Sequence, residues 1–187
     1  MNNQFRIIAG EWRSRKLSFP DVKGLRPTSG RVRETLFNWL QDDLPGAHCL
    51  DLFAGSGALG LEAASRGAER VVQVDDNQFV IRALKTDKTL LKADQLSIVK
   101  ADALTFLKKR ADEGYDLVFL DPPFHQDLLL PTCRLLDQNG WLKVGAKIYL
   151  EVEKRFDIEE KGLLPESWQQ LKAKKAGEVR YFLYQAT

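Results

Sequence analysis

From residue 48 onward the chain alternates short apolar runs with longer amphipathic stretches. Residues 49–53, 71–74, 96–100, 117–120, 147–153 and 179–185 each carry the few consecutive leucine, β-branched or aromatic side chains of a buried strand. The intervening segments 58–66, 78–91, 104–110 and 128–136 have helical length and periodicity. Strand and helix units repeated in this way predict an α/β fold, a doubly wound and mostly parallel sheet with helices on both faces. Upstream the pattern differs. Residues 5–19 hold two apolar runs around a glycine-containing turn, which predicts a small β-hairpin with its arginines outward. A loop with Pro20, Gly24, Pro27 and Gly30 follows. Val32, Leu36, Phe37 and Leu40 then fall on one helical face, and Thr28 or Ser29 could cap that helix. Pro45-Gly46 ends it. The expected organisation is an N-terminal extension over residues 1–45 and a single α/β domain over 46–187.

With 187 residues, 44% of them hydrophobic, the chain can bury one substantial core. The longest run without a charge is Leu52 to Leu61, far short of the roughly 20 apolar residues that cross a bilayer. Met1 to Gly10 lacks the features of a secretion signal, so a cytoplasmic location is expected. Cys49 and Cys133 lie in apolar segments without metal-ligand spacing, and buried thiols are expected in place of a disulfide or zinc site.

Charge is distributed unevenly. Residues 1–33 carry eight cationic side chains against Glu11 and Asp21, a net +6 in a chain whose total is +2. A basic arm on a mildly acidic body suits a protein that grips phosphates, although a solvated surface has the same composition.

Candidate chemistry starts at Asp51-Leu52-Phe53-Ala54-Gly55-Ser56-Gly57, between the first strand of the α/β region and its helix. A Gly-x-Gly turn lets backbone approach a ligand, and the helix start supplies unpaired N–H groups. Asp51 would repel a dinucleotide pyrophosphate and attract a cationic amino-acid moiety, which favours a cofactor with an ammonium and a sulfonium. Asp75, which follows the next strand, can receive both hydroxyls of a ribose. Asp102 follows the third strand. Taken singly, each acid could equally be a helix cap or a solvated side chain.

The fourth strand ends in Asp121-Pro122-Pro123-Phe124. This tetrapeptide resembles the Asp/Asn-Pro-Pro-Tyr/Phe motif of S-adenosylmethionine-dependent methyltransferases that act on exocyclic amines. An aryl amine is a weak nucleophile, so acceptors must draw on its hydrogens while it is held in line with the methyl group. The Asp121 carboxylate and the Pro122 carbonyl can do this, and Phe124 offers a face on which a flipped base can stack.

Beyond the motif, Arg6 to Arg13, Leu25-Arg26-Pro27-Thr28, Arg31 to Leu40 and Gly177 to Tyr184 complete a resemblance over nearly the whole chain. The family it resembles is that of the bacterial 16S ribosomal RNA guanine-N2 methyltransferases of the RsmD type. The resemblance implies a class I, Rossmann-like sheet of seven strands with the last antiparallel, and an N-terminal hairpin extension. It implies a cofactor, S-adenosylmethionine, bound by Asp51, Phe53, Gly55, Ser56, Gly57, Asp75, Asp76, Asp102 and Ala103. Asp121, Pro122 and Phe124 are then catalytic. Arg6, Arg13, Arg15, Lys16, Arg26, Arg31, Pro123 and Phe124 are expected to contact 16S ribosomal RNA, presented within a small-subunit particle to a monomeric enzyme. No metal is required and no membrane is involved. Two alternatives stay open: a DNA adenine-N6 or cytosine-N4 methyltransferase using the same tetrapeptide, and a non-catalytic ribosomal RNA-binding assembly factor on the same fold.

Overall fold

A computed structural model describes residues 3–124, 127–158 and 163–187. Strands β1 (Gln4–Arg6) and β2 (Lys16–Ser18) form a separate antiparallel hairpin, and helix α1 (Gly30–Trp39) follows the loop. Then come β3 (His48–Asp51), α2 (Ala58–Ser65), β4 (Arg70–Asp75), α3 (Gln78–Leu91), β5 (Leu96–Lys100), α4 (Ala103–Leu107) and β6 (Tyr115–Leu120). The chain continues through α5 (Leu129–Gln138), β7 (Leu142–Glu153), β8 (Trp168–Ala176) and β9 (Val179–Ala186). The second sheet has seven strands in the order β5-β4-β3-β6-β7-β9-β8. Strands β3 to β7 pair in parallel, and β9 runs antiparallel to both of its neighbours. The chain therefore has the expected doubly wound α/β fold with an antiparallel last strand.

One strand escapes the hydrophobic pattern. Strand β8 reads Trp-Gln-Gln-Leu-Lys-Ala-Lys-Lys-Ala, and only Trp168 in it is buried. At the sheet edge neither face needs apolar side chains, so pairing with β9 specifies the strand and periodicity does not. The cap of α1 is resolved as well: Ser29 accepts from Val32 N, while the Thr28 side chain points elsewhere.

Residues alternate between two cores. On one face of the sheet Leu50, Val118, Leu120, Ile148 and Phe182 pack against Leu107 of α4 and Cys133 and Leu136 of α5. On the other, Cys49, Leu117, Phe119, Tyr149 and Leu183 meet α2 together with Leu36, Phe37 and Leu40 from the α1 segment. The Phe37 and Phe119 ring centroids lie 6.0 Å apart. Helix α1 thus completes the layer that would otherwise leave β6, β7 and β9 bare. Each of its fully buried side chains contributes roughly 1.5–3 kcal/mol.

The hairpin is fastened to α2 by a buried carboxylate. Glu62, with no exposed surface, accepts from Ile8 N at 2.8 Å and Ala9 N at 3.0 Å. The Arg66 Nε donates to it at 2.8 Å and Arg33 Nη1 at 3.4 Å. Arg33 also donates to the carbonyls of Arg6 and Thr28, so one guanidinium ties the hairpin and loop together. Burial lowers the Arg33 pKa, and its partner Glu62 opposes that shift. Gly10 adopts φ +83°, and a Cβ there would sit 1.8 Å from the Ser65 carbonyl oxygen, so only glycine lets the arm lie this close to α2.

Removing Glu62 would strand a buried guanidinium and two backbone N–H groups. Glu62→Ala is expected to lose roughly 3–5 kcal/mol in urea unfolding. A loss below about 1 kcal/mol would show that the clamp contributes little.

Candidate active site

The sheet order reverses between β3 and β6, which both end at the same edge in register Asp51↔Phe119. Open α/β sheets form their ligand crevice at such a switch point, outside the strand C-termini. Asp51 ends β3 there, and Asp121 follows β6.

Asp51 is buried and serves the loop that follows it. Its Oδ2 accepts from Gly60 N at 3.0 Å and from Gln73 Nε2 at 3.1 Å. Gln73 Nε2 also donates to the Gly57 carbonyl, so the β4 side chain braces both ends of the glycine turn. Gly57 precedes α2 with φ +80°, and a Cβ there would come within 2.5 Å of Leu84 Cδ2. Burial raises the Asp51 pKa to about 6, partly offset by the Gln73 and Gly60 hydrogen bonds. Sequence reasoning overlooks Gln73. The available signal is a lone amide inside the apolar run Val71-Val72-Gln73-Val74 of an interior strand.

The other acids differ in their surroundings. Half-buried Asp75 ends β4; its Oδ2 accepts from Gly55 N and its Oδ1 from Asn77 N, each at 2.9 Å. Burial raises its pKa against those two bonds. Asn77 caps α3 by accepting from Phe79 N and Val80 N. Asp102 is exposed and caps α4 by accepting from Thr105 N at 2.8 Å, and bonding to Thr105 lowers its pKa. Asp76 is exposed and Phe53 half-buried. Ser56 is buried, its Oγ accepting from Ala58 N at 3.4 Å. Ala103 packs into the core, leaving only its backbone available to a ligand.

Asp121 is half-buried, Pro122 buried, Pro123 exposed and Phe124 39% exposed. Thr28 Oγ1 donates to Asp121 Oδ2 at 3.2 Å across 93 positions of sequence. Glu151 on β7 is also buried and accepts from the Tyr149 hydroxyl at 2.6 Å. Burial and the nearby Glu151 hold the Asp121 carboxyl well above the usual range, while the Thr28 bond pulls it down. Burial likewise raises Glu151, against the Tyr149 bond. Neither Thr28 nor Glu151 was recognisable as a neighbour of Asp121, because only the fold brings them together.

Arg6, Arg13, Arg15, Lys16, Arg26 and Arg31 are all exposed. Arg33, counted in the same basic segment, is only 4% exposed and belongs to the Glu62 clamp. The outward charge of the arm is reduced accordingly. Both cysteines are buried, and burial raises their thiol pKa values. Among the described residues no helix is long and apolar enough to cross a membrane.

The family model described as "Conserved hypothetical protein 95" matches residues 5–185. Ribosomal RNA small subunit methyltransferase D of Escherichia coli (strain K12) is 47% identical over 186 residues, covering 98% of this chain and 91% of that protein. The chain belongs to this methyltransferase family. It is a methyltransferase. The solved yhhF structure from Escherichia coli superposes with a TM-score of 0.88 at 45% identity, covering 98% of each chain. The Thermus thermophilus 16S rRNA N2 G1207 methyltransferase, solved with AdoMet and guanosine, has a TM-score of 0.67 at 23% identity. It covers the whole of this chain and 50% of its own, and shares the fold.

The buried Asp51 carboxyl makes stability depend on pH. Its folded pKa, about 6, exceeds the unfolded value of 3.8, so protonation favours the folded state and this contribution is lost as pH rises through 6. Asp51→Asn keeps an oxygen for Gly60 N and Gln73. It is expected to flatten the pH 4–6 slope of unfolding free energy, removing a fall of about 3 kcal/mol. An unchanged slope would assign that titration to another group.

Proposed function

We propose that this chain transfers a methyl group from S-adenosylmethionine to the exocyclic N2 amine of a guanine in 16S ribosomal RNA. It would do so as a cytoplasmic monomer acting on a small-subunit particle. The observation that carries the reading is the half-buried Asp121 carboxylate at the switch point, held by Thr28 and followed by two prolines. The relatives' name supplies the ribosomal RNA class. Residues 46–187 form the methyltransferase domain in this reading, with 1–45 as an extension that shares its core.

The donor set fits the cofactor. Each Asp75 oxygen accepts one backbone N–H and retains a lone pair for a ribose hydroxyl. Asp51 presents buried negative charge towards an amino-acid ammonium. Phe53, Gly55, Ser56 and Gly57 form the turn beside it, and Asp76, Asp102 and the Ala103 backbone border the adenosine side. Bound S-adenosylmethionine supplies a methyl group made electrophilic by its sulfonium.

Asp121 and the Pro122 carbonyl accept the two hydrogens of the amine, which orients its nitrogen and increases its electron density. Proline rings fix the backbone that carries both acceptors. A carboxylate with a raised pKa is also a competent acceptor for the proton that the methylated amine must lose. Phe124 and Pro123 provide the face for the flipped base. Arg6, Arg13, Arg15, Lys16, Arg26 and Arg31 contact phosphates.

Asp121→Ala is expected to retain cofactor binding and to slow single-turnover methyl transfer at least about a hundredfold. Near-normal transfer would remove Asp121 from the mechanism. The wild-type rate should rise with pH as Asp121 ionises. In Glu151→Gln, which lacks the repelling charge, this acid limb should move to lower pH; an unmoved limb would show that Asp121 does not set it.

A second experiment concerns the arm. Replacing Arg13 and Arg15 together by Ala should weaken RNA binding and reduce the log–log salt slope by roughly 0.7–0.9 per lost phosphate contact. Wild-type affinity and slope would make these side chains a solvated surface.

A further inference from the structure

The arm and α3 enclose a groove of about 460 Å³ that no step of the proposed chemistry uses. Leu17, Phe19 and Pro20 line it from the arm, with Ala83 and Leu90 opposite on α3. Asp87 sits among them. The buried stripe of α3 runs Val80, Leu84, Asp87, Leu91, so a carboxylate occupies a position where helix periodicity calls for an apolar side chain. Asp87 is 6% exposed, and its shielded Oδ2 has no hydrogen-bond partner among the described residues. Burial raises its pKa to about 7, and no bond or charge offsets that shift. A desolvated acceptor kept at a core position without a donor breaks the local packing rule at a cost to stability, a departure expected where a site serves function.

The rim indicates what supplies the donor. Lys16 lines the groove, and Arg15 on the arm and Arg82 on α3 are exposed chain neighbours of its lining residues Lys16 and Ala83. On α3, Phe79 is 63% and Leu90 58% exposed, on one stripe with Ala83 and Thr86. A basic peptide would be repelled by this rim, and a free phosphate would be repelled by Asp87. An unpaired nucleotide satisfies every part at once: a flat ring in the apolar slot, an N–H edge on the carboxylate and phosphates on the cations.

We propose that the groove between β2 and α3 is a second RNA-binding site, which takes one unpaired nucleotide with a base that donates N–H bonds. This rests on the RNA methyltransferase reading above. None of Asp121, Pro122, Pro123 and Phe124 lines the groove, so it contributes to holding the substrate and not to the methyl-transfer step.

The test compares wild type, Asp87→Leu and Asp87→Asn on small-subunit particles. Asp87→Leu should melt at or above the wild-type temperature, because an unpartnered carboxylate is gone. Its KM for the particle should rise at least tenfold with kcat unchanged, and Asp87→Asn, which retains one acceptor oxygen, should fall between. A single-stranded oligoribonucleotide containing 6-thioguanosine should crosslink to residues 16–20 or 79–90, and less efficiently in Asp87→Leu. A KM within twofold of wild type in folded variants, or crosslinks that avoid both segments, would overturn the site. So would displacement of the crosslink by an arginine-rich peptide but not by unlabelled RNA. If wild type methylates no RNA the functional reading fails first, while the crosslink still reports on the groove by itself.

Discussion

One buried carboxylate determines how the N-terminal third relates to the rest. Glu62 has four donors, two from the arm backbone and two from guanidinium groups, and its own carboxylate has no exposed surface. A charge so enclosed is tolerated only while every donor stays in place, which makes the arrangement close to all-or-none. Through Arg33 the same group fixes the Thr28 carbonyl, and the Thr28 hydroxyl reaches Asp121. The arm is consequently part of the site's scaffold, joined to the Asp121 carboxylate by a continuous run of hydrogen bonds.

The crevice itself gathers carboxylates at neighbouring strand ends, and its chemistry follows from how differently they are solvated. Asp102 is exposed and stabilised as an anion, Asp75 is intermediate, and Asp51 and Asp121 are driven towards the neutral form by burial. A cationic ligand reverses that balance at Asp51. In the function proposed above, the cost of burying the acid in the free protein would be recovered as attraction when the ammonium arrives, giving selectivity for a charged amino-acid group over a neutral one.

Much of this was legible in the sequence for physical reasons. Interior parallel strands must be apolar on both faces, so β3, β4 and β6 stand out, and Gln78–Leu91 is recovered with both of its ends because its periodicity and its Asn77 start coincide. Glycines and acids at strand ends mark the crevice because the chain must turn there. Strand β8 was hidden because an exposed edge has no periodic requirement. Thr28 and Glu151 were hidden for a different reason: their neighbour Asp121 is distant in sequence, and a threonine or glutamate carries no sign of the contact it will make. Arg33 was misassigned to the basic surface because charge arithmetic does not register burial.

Strand β8 also bears on how copies of the protein meet. It offers a row of unpaired backbone groups to solvent, the usual template on which a sheet grows from one molecule into the next. Lys172, Lys174 and Lys175 are exposed along that row, with Lys174 resting over the Trp39 ring. Two such edges aligned antiparallel would bring ammonium groups from both copies into the same few ångströms and strip them of water. The polarity that conceals this strand from a hydrophobicity scan therefore acts as a barrier to polymerisation at this edge of the seven-stranded sheet.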